Sequence, residues 1–195
     1  MRVVLLSGWS GSGKDAVATY LRDMHGWRHF AFANLLKDMV AETHGLDVTA
    51  LHTAEGKAVM LPTGETVREA LIATGKHIRD VKGPQFFAEH VAAAISASVD
   101  ASVDASIDSA GTPVANVVVS DWRFMHEATV MQRLLPTATV QHVRVQRHGQ
   151  TCSPVSDTDA SEHELDAFPF DVIVENPGTT LAALAACIDA CLLAI

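Results

Sequence analysis

No stretch of this chain is apolar for long enough to cross a bilayer. The longest candidate, residues 181–195, is interrupted by Asp189 and falls short of the ~20 residues a span requires, so it reads as a packed helix. Basic residues are scarce as well: 14 Lys and Arg stand against 23 Asp and Glu, a formal net charge of -9. A nucleic acid polymer is bound by neutralising many phosphates at once, and this surplus of acid excludes a broad basic face for that purpose. Any phosphate the chain holds must be met by a local cluster of cations. Aromatic residues make up only 6%, and alanine supplies much of the 48% hydrophobic fraction, so the chain reads as globular and built from small side chains. Cys152, Cys187 and Cys191 make no even disulfide framework. Cys187 and Cys191 are one helical turn apart with no histidine nearby, which marks them as small core residues rather than metal ligands. The apolar run at 3–6 ends at Ser7 in a glycine-rich loop rather than a cleavage site, so the expected location is the cytoplasm, off the membrane. The length of 195 residues fits a single domain.

What the sequence does contain is an alternation of strands and helices. Residues 3–6 have the β-branched and leucine run of a strand buried on both faces. A helix over 14–24 follows, with Val17, Tyr20, Leu21 and Met24 on one face and Gly26 closing it. A brief strand at 29–32 leads to Asn34 as an N-cap, and the helix it opens turns Leu35, Leu36, Met39 and Val40 inward before Gly45. Residues 46–65 show no periodicity and are expected to be mostly loop. Thr66 and Glu69 have the spacing of a capping box, and Gly83-Pro84 marks the next boundary. Residues 117–120 form a second buried strand ending on Asp121. A helix at 127–134, strands at 139–145 and 172–174, and a helix from Thr180 complete the pattern of a mainly parallel sheet covered on both faces.

Gly8-Trp9-Ser10-Gly11-Ser12-Gly13-Lys14 matches G-x-x-x-x-G-K, and it lies between a buried strand and an amphipathic helix, the context that gives the motif meaning. Its glycines let successive backbone N–H groups turn inward around a phosphate chain, the helix N-terminus adds its positive end, and Lys14 reaches the β- and γ-phosphates. Asp15 stands where Ser or Thr usually supplies a hydroxyl to magnesium. A carboxylate there suits either the metal, held directly or through water, or the helix dipole, and the sequence leaves both roles open. At the end of the second buried strand, Asp121 is followed by Arg123 and, one helical turn beyond, by Glu127. Parallel α/β sheets place their ligands at the carboxyl ends of strands, which brings this acid and arginine to the candidate site.

In these blocks the chain resembles the phage-type deoxynucleoside monophosphate kinases. The resemblance rests on Ser12-Gly13-Lys14-Asp15, Leu36-Lys37-Asp38, Val67-Arg68-Glu69 with Gly75, Asp121-Trp122-Arg123 with Glu127, and Ser161-Glu162 before Phe170-Asp171-Val172-Ile173-Val174-Glu175-Asn176. It implies a P-loop nucleoside-monophosphate-kinase-like α/β fold with a five-stranded, mainly parallel sheet. The activity it implies is magnesium-assisted transfer of the γ-phosphoryl group of ATP to a nucleoside monophosphate, in the host cytoplasm for a phage-encoded enzyme. ATP would contact Gly11, Ser12, Gly13, Lys14, Asp15 and Ala16, with Arg147 from a lid-like stretch at about 146–166. Acceptor contacts would come from Lys37, Arg68, Gly75, Phe87, Asp121, Arg123 and Glu127, and Lys14, Arg123 and Asp121 would carry the catalysis. A kinase for another small acceptor, such as a sugar, shikimate or dephospho-CoA, is the rival. A nucleotide-gated switch lacks its base-reading Asn/Thr-Lys-x-Asp motif here.

One segment is of low complexity: Ser98-Val99-Asp100-Ala101 recurs as Ser102-Val103-Asp104-Ala105 and approximately as Ser106-Ile107-Asp108-Ser109. It reads as an insertion at about 98–111. Phe87, Val91, Ile95, Val99, Val103 and Ile107 are each four apart, so one helix is expected from Pro84 to about Asp108. A step of four overshoots the 3.6-residue turn by about 40°, rotating the stripe away from the domain's own core. Its far end is then a candidate homodimer surface.

Overall fold

The computed structural model describes residues 1–100, 106–107, 113–150 and 163–193. Its centre is β1 (Arg2–Ser7), whose residues Val3 to Leu6 are fully buried because the strand is covered from both sides. The five parallel strands run in the order β2-β5-β1-β6-β7, with β2 at Arg28–Phe30, β5 at Asn116–Val119, β6 at Thr139–Arg147 and β7 at Val172–Asn176. Every neighbouring pair is parallel, so the connections must cross over the sheet, and helices lie in those from β1 to β2, from β2 to β5 and from β5 to β6.

Alternation along the strands sorts the core into two layers. Val3, Leu5, Val117 and Val119 meet α5 (Phe86–Asp100) and α6 (Met125–Leu134) on one face, around the buried Trp122. Val4, Leu6, Val118, Val143, Val145 and Val174 meet α1 (Lys14–His25) and α7 (Leu181–Ile188) on the other. Fully burying one such aliphatic side chain is worth about 1.5–3 kcal/mol, which is why β1 and β5 read so plainly in the sequence. A third, smaller cluster stands apart from the sheet. It joins Val40 and Ala41 of α2 (Ala33–His44), Leu51, Leu61, and Val67 and Ala70 of α4 (Val67–Lys82). The Thr66–Glu69 capping box opens α4 as expected.

Several local expectations are corrected. Residues 46–65 hold a 3₁₀ turn, Val48–His52, and a short helix α3, Ala54–Lys57. Their turns are fixed by local caps at Asp47 and Thr53 that hydrophobic periodicity does not register. Met24 is 68% exposed, because the chain reverses at Gly26 and Trp27 fills that end of the core instead. Asn34 is exposed inside α2 rather than capping it. The expected helix from Pro84 to about Asp108 is described from Phe86 to Asp100 and does not reach Asp108, because Ser106–Ile107 (β3) pairs antiparallel with Pro113–Val114 (β4). Val99, the next residue of the apolar stripe after the buried Ile95, is only partly buried, and Ser, Asp and β-branched residues have little helix propensity of their own. Val103 lies outside the described residues. The strand β6 runs to Arg147, two residues into the stretch read as lid-like; residues 151–162 of that stretch lie outside the described residues. Among the described residues no helix is long and apolar enough to cross a membrane, and no group of His, Cys, Asp and Glu is arranged to hold a metal ion by itself.

Candidate active site

The loop from Gly8 to Lys14 leaves the carboxyl end of β1 and delivers the chain to α1. At Gly8, with φ 149°, a Cβ would lie 2.4 Å from the Val145 carbonyl oxygen, so β6 approaches too closely for any side chain. Gly13, with φ 105°, is the N-cap of α1 and has no side-chain cap, which leaves the first-turn N–H groups open for an anion. A Cβ on Gly13 would meet Asn176 Nδ2 at 2.5 Å. Asn176, at the end of β7, donates from Nδ2 to the Ser12 carbonyl (2.8 Å) and accepts from Gly178 N (3.0 Å), so it braces the loop from below. Lys14 is buried, and its Nζ donates to the carbonyls of Gly8 (2.5 Å) and Trp9 (2.9 Å). The Ser12 Oγ is buried without a hydrogen-bond partner. Asp15 points into solvent, while Ala16 packs its side chain toward the core and has only its backbone N–H to offer a ligand.

Arg147 lies over Gly178, where a Cβ would stand 3.1 Å from its Nε, and lines a cavity of about 270 Å³ with Trp9, Arg144 and Gln150. Gln150 donates to the Ser10 carbonyl on the outer arm of the P-loop. The sequence reading missed Arg144. It is buried in β6 and donates to Asp166 Oδ1 (2.7 Å), which also accepts from Trp9 Nε1 (3.2 Å), while His163 meets Oδ2 (2.8 Å). Burial pushes the Asp166 carboxyl up, but the hydrogen bonds from His163, Arg144 and Trp9 outweigh it and hold the group below its ordinary value.

A second cavity, of about 470 Å³, opens between the sheet and the satellite cluster. Lys37 enters it from α2, Arg68 from the first turn of α4, and Arg123 from the segment after β5, which brings together three of the expected acceptor residues. Lys57, from α3, joins them and was missed, because nothing in the unperiodic 46–65 stretch marks it. Burial first, then Lys37, Arg68 and Arg123, push the Lys57 ammonium below its ordinary pKa, with Asp15 opposing them. Phe87 lines the apolar wall together with Leu36, Leu71 and Ile72. Arg79, three turns of α4 beyond Arg68, lies over Phe124 (5.1 Å to the ring centroid) and Phe87 (5.9 Å). The spacing of Arg79 from Arg68 places both on one stripe of α4, a signal the sequence carried. Gly75 does not line this cavity. It is buried where a Cβ would stand 3.1 Å from Leu36 Cδ2 and 3.5 Å from Arg79 Nη2, so its role is to leave them room.

The two carboxylates of this cavity are already engaged. Asp121 Oδ1 accepts from Phe32 N (2.7 Å) and Oδ2 from Ala33 N (2.9 Å), so a carboxylate from the end of β5 caps α2, the task the sequence suggested for Asn34. Glu127 Oε2 accepts from the backbone N–H groups of Arg123 and Phe124, both at 3.0 Å. Burial raises the Glu127 carboxyl to about 8 despite those two bonds, with Asp121 adding to the rise and Arg123 opposing it.

No protein-family model matches the chain, and no curated protein matches it. Solved structures do share its architecture. A sugar kinase from Janibacter sp. is 14% identical, with 97% of this chain and 93% of that one covered at a TM-score of 0.51. A gluconokinase from Sinorhizobium meliloti is 14% identical over 97% and 90% of the two chains at 0.44. A shikimate kinase from Aquifex aeolicus is 13% identical over 95% and 92% at 0.42. At this level of identity the likeness to the sugar kinase shows the fold, an α/β P-loop kinase-type domain with a parallel five-stranded sheet.

Proposed function

We propose that this chain is an ATP-dependent P-loop kinase that passes the γ-phosphoryl group to a nucleoside or deoxynucleoside monophosphate, giving the diphosphate. The observation that carries this reading is the convergence of Lys37, Lys57, Arg68 and Arg123 on one cavity, with Asp15 at the end of the P-loop close enough to act on Lys57. With Lys76 and Arg79 also on its walls, six cations against two carboxyl groups already bonded to backbone leave positive charge for a phosphate dianion to neutralise, and Arg68 and Arg123 offer the planar fork that binds it in two places. The wall of Leu36, Leu71, Ile72 and Phe87 continues from the cations and gives a sugar and base a surface to lie against.

The donor would lie on the P-loop, its phosphates against the open N–H groups of α1 and its base toward Arg147 and the Asn176–Gly178 turn. Lys14, which donates to two carbonyls of its own loop, would turn its ammonium to the phosphates. Phosphoryl transfer asks for positioning and charge neutralisation rather than a covalent nucleophile, which this set of cations supplies. The oxygen donors fit a magnesium ion carried by the nucleotide: Asp15 presents an exposed carboxylate directly after Lys14, and the Ser12 hydroxyl beside it is unpartnered. Bound there, the ion would neutralise charge on the β- and γ-phosphates.

A hydroxyl acceptor such as a sugar is the second reading, favoured by the fold likeness to the sugar kinase. A hydroxyl needs a proton acceptor, and Asp121, the acid best placed for that, has both oxygens receiving backbone N–H groups. A phosphate acceptor is already nucleophilic and needs none. The test is ADP release with ATP and magnesium over the common ribo- and deoxyribonucleoside monophosphates, set beside sugars, gluconate, shikimate and dephospho-CoA. Turnover confined to monophosphates is the expected result; turnover with a non-phosphorylated sugar alone refutes the assignment.

A further inference from the structure

The segment between α2 and α4 is more than a connection. Asp47 Oδ1 accepts from Thr49 N (2.9 Å) to open the 3₁₀ turn, and Leu51, 1% exposed, anchors that turn in the satellite cluster. Thr53 Oγ1 accepts from Gly56 N (2.9 Å) to open α3. The two turns are so close that a Cβ on Gly56 would lie 2.0 Å from the Ala50 carbonyl oxygen. With Leu51 fixed inward, the next residue faces outward at the cavity rim. That residue is His52, and its Nδ1 stands 3.2 Å from Lys37 Nζ.

An ammonium has three donors and no lone pair, so the contact requires an accepting lone pair on Nδ1. His52 therefore carries its proton on Nε2 and is uncharged in this arrangement. We propose that His52 is a positioning residue for the acceptor: its neutral ring holds the Lys37 ammonium in place at the cavity, so the incoming phosphate meets an oriented cation. The proposal rests on reading this cavity as the acceptor site. The charged groups that face His52 are Lys37 and Asp38 on α2, Lys57 on α3 and Asp15 on α1. Burial, with Lys37 and Lys57, holds its pKa below the ordinary histidine value, and Asp15 and Asp38 oppose them. Acidification through that value removes the lone pair and sets a third positive charge beside two lysines. Acceptor binding then weakens. A histidine acting as a direct phosphate ligand gives the opposite sign, because its protonated form would attract the dianion.

The experiment compares wild type with His52→Ala and His52→Asn, measuring the KM of the best monophosphate acceptor and of ATP from pH 5.5 to 8.5. At pH 8 His52→Ala should raise the acceptor KM about two- to tenfold, the range of one lost hydrogen bond, and leave the ATP KM unmoved. His52→Asn, whose Oδ1 accepts without titrating, should restore most of that loss. It should also remove the acid-side rise in acceptor KM that wild type shows, and any rise common to both proteins belongs to the acceptor phosphate itself. Ring-nitrogen NMR of His52 should report the Nε2–H tautomer, with the titration moving up in Lys37→Ala. An unchanged acceptor KM in His52→Ala, tighter acceptor binding by wild type on acidification, or an Nδ1–H tautomer each overturns the proposal. If wild type turns over no monophosphate, it is the acceptor reading that fails, and the ring-nitrogen spectra still judge the pair.

Discussion

Removing the Asp121 carboxylate should act on stability before it acts on chemistry. Its two oxygens receive the N–H groups of Phe32 and Ala33 at 2.7 and 2.9 Å, and Phe32 is 4% exposed, so water does not readily replace the lost acceptor there. Loss of an N-cap costs about 1 kcal/mol, and the interaction of the carboxylate's charge with the dipole adds up to about 1 kcal/mol. A buried N–H left unsatisfied adds about 1–3 kcal/mol, which overlaps in part with the cap. Asp121→Ala should therefore destabilise the fold by about 2–4 kcal/mol, and at roughly 2–4 °C per kcal/mol for a domain of this size the Tm should drop by about 5–15 °C. Asp121→Asn should recover little of this, since one oxygen can serve one N–H while the amide group faces the other. The assay is thermal and urea unfolding without ligands, with acceptor kinetics measured far below the lowered Tm. A variant with unchanged Tm and no turnover would refute the reasoning, because the carboxylate would then be acting on substrate and the argument against a hydroxyl acceptor would fall with it.

Three further outcomes are expected. Lys14→Met keeps the buried stem and removes the cation, so turnover should fall by the equivalent of ~3 kcal/mol or more, while the lost bonds to the Gly8 and Trp9 carbonyls lower stability by about 1–3 kcal/mol and leave the fold intact, as circular dichroism and ADP release will show. Arg68→Ala and Arg123→Ala should raise the acceptor KM or lower kcat while the calorimetric affinity for ATP holds; lost ATP affinity alone would move both residues to the donor side. Glu127 has its folded pKa raised to about 8 from an ordinary 4.5, so the native state binds the proton more tightly than the unfolded chain. Its contribution to stability is full below about 4.5 and is lost as pH rises toward 8. Glu127→Gln should thus gain on wild type between pH 5 and pH 8, by an amount on the order of a few kcal/mol in urea unfolding, and parallel pH profiles would count against it.

The P-loop half of the candidate site was legible because its signals are local. A buried strand, a fixed glycine spacing and an amphipathic helix are contiguous in sequence, and the structure places Lys14 and Asp15 where that order requires. The cation-lined cavity was legible only in part. Arg68 and Arg123 sit beside local markers, a capping box and a strand end. Lys57 and His52 sit on turns whose order comes from side-chain caps and a distant apolar cluster, and no periodicity announces them. Asp121 lines the cavity, yet its bonds to Phe32 and Ala33 join segments far apart in sequence and could not be read along the chain. Arg144 and Asn176 were missed for the same reason: each meets the P-loop from a strand far away in sequence, Arg144 over the Trp9 ring and Asn176 at the Ser12 carbonyl.

The smaller apolar cluster beneath the cation-lined cavity bears on how the molecule opens. Val40, Ala41, Leu51, Leu61, Val67 and Ala70 form the buried contact between α2 and α4, while partly buried Leu36 of α2 and Ile78 of α4 join them to one of the layers that clamp the sheet. A unit with so few buried side chains can come apart while the sheet stays intact, at a free energy below that of global unfolding. Amide hydrogens of α2 and α4 should then exchange sooner than those of β1, β5 and β6. Acceptor bound to Lys37 and Lys57 on one side of that unit and to Arg123 on the other would slow their exchange, tying the two parts into one cooperative body for the lifetime of the complex.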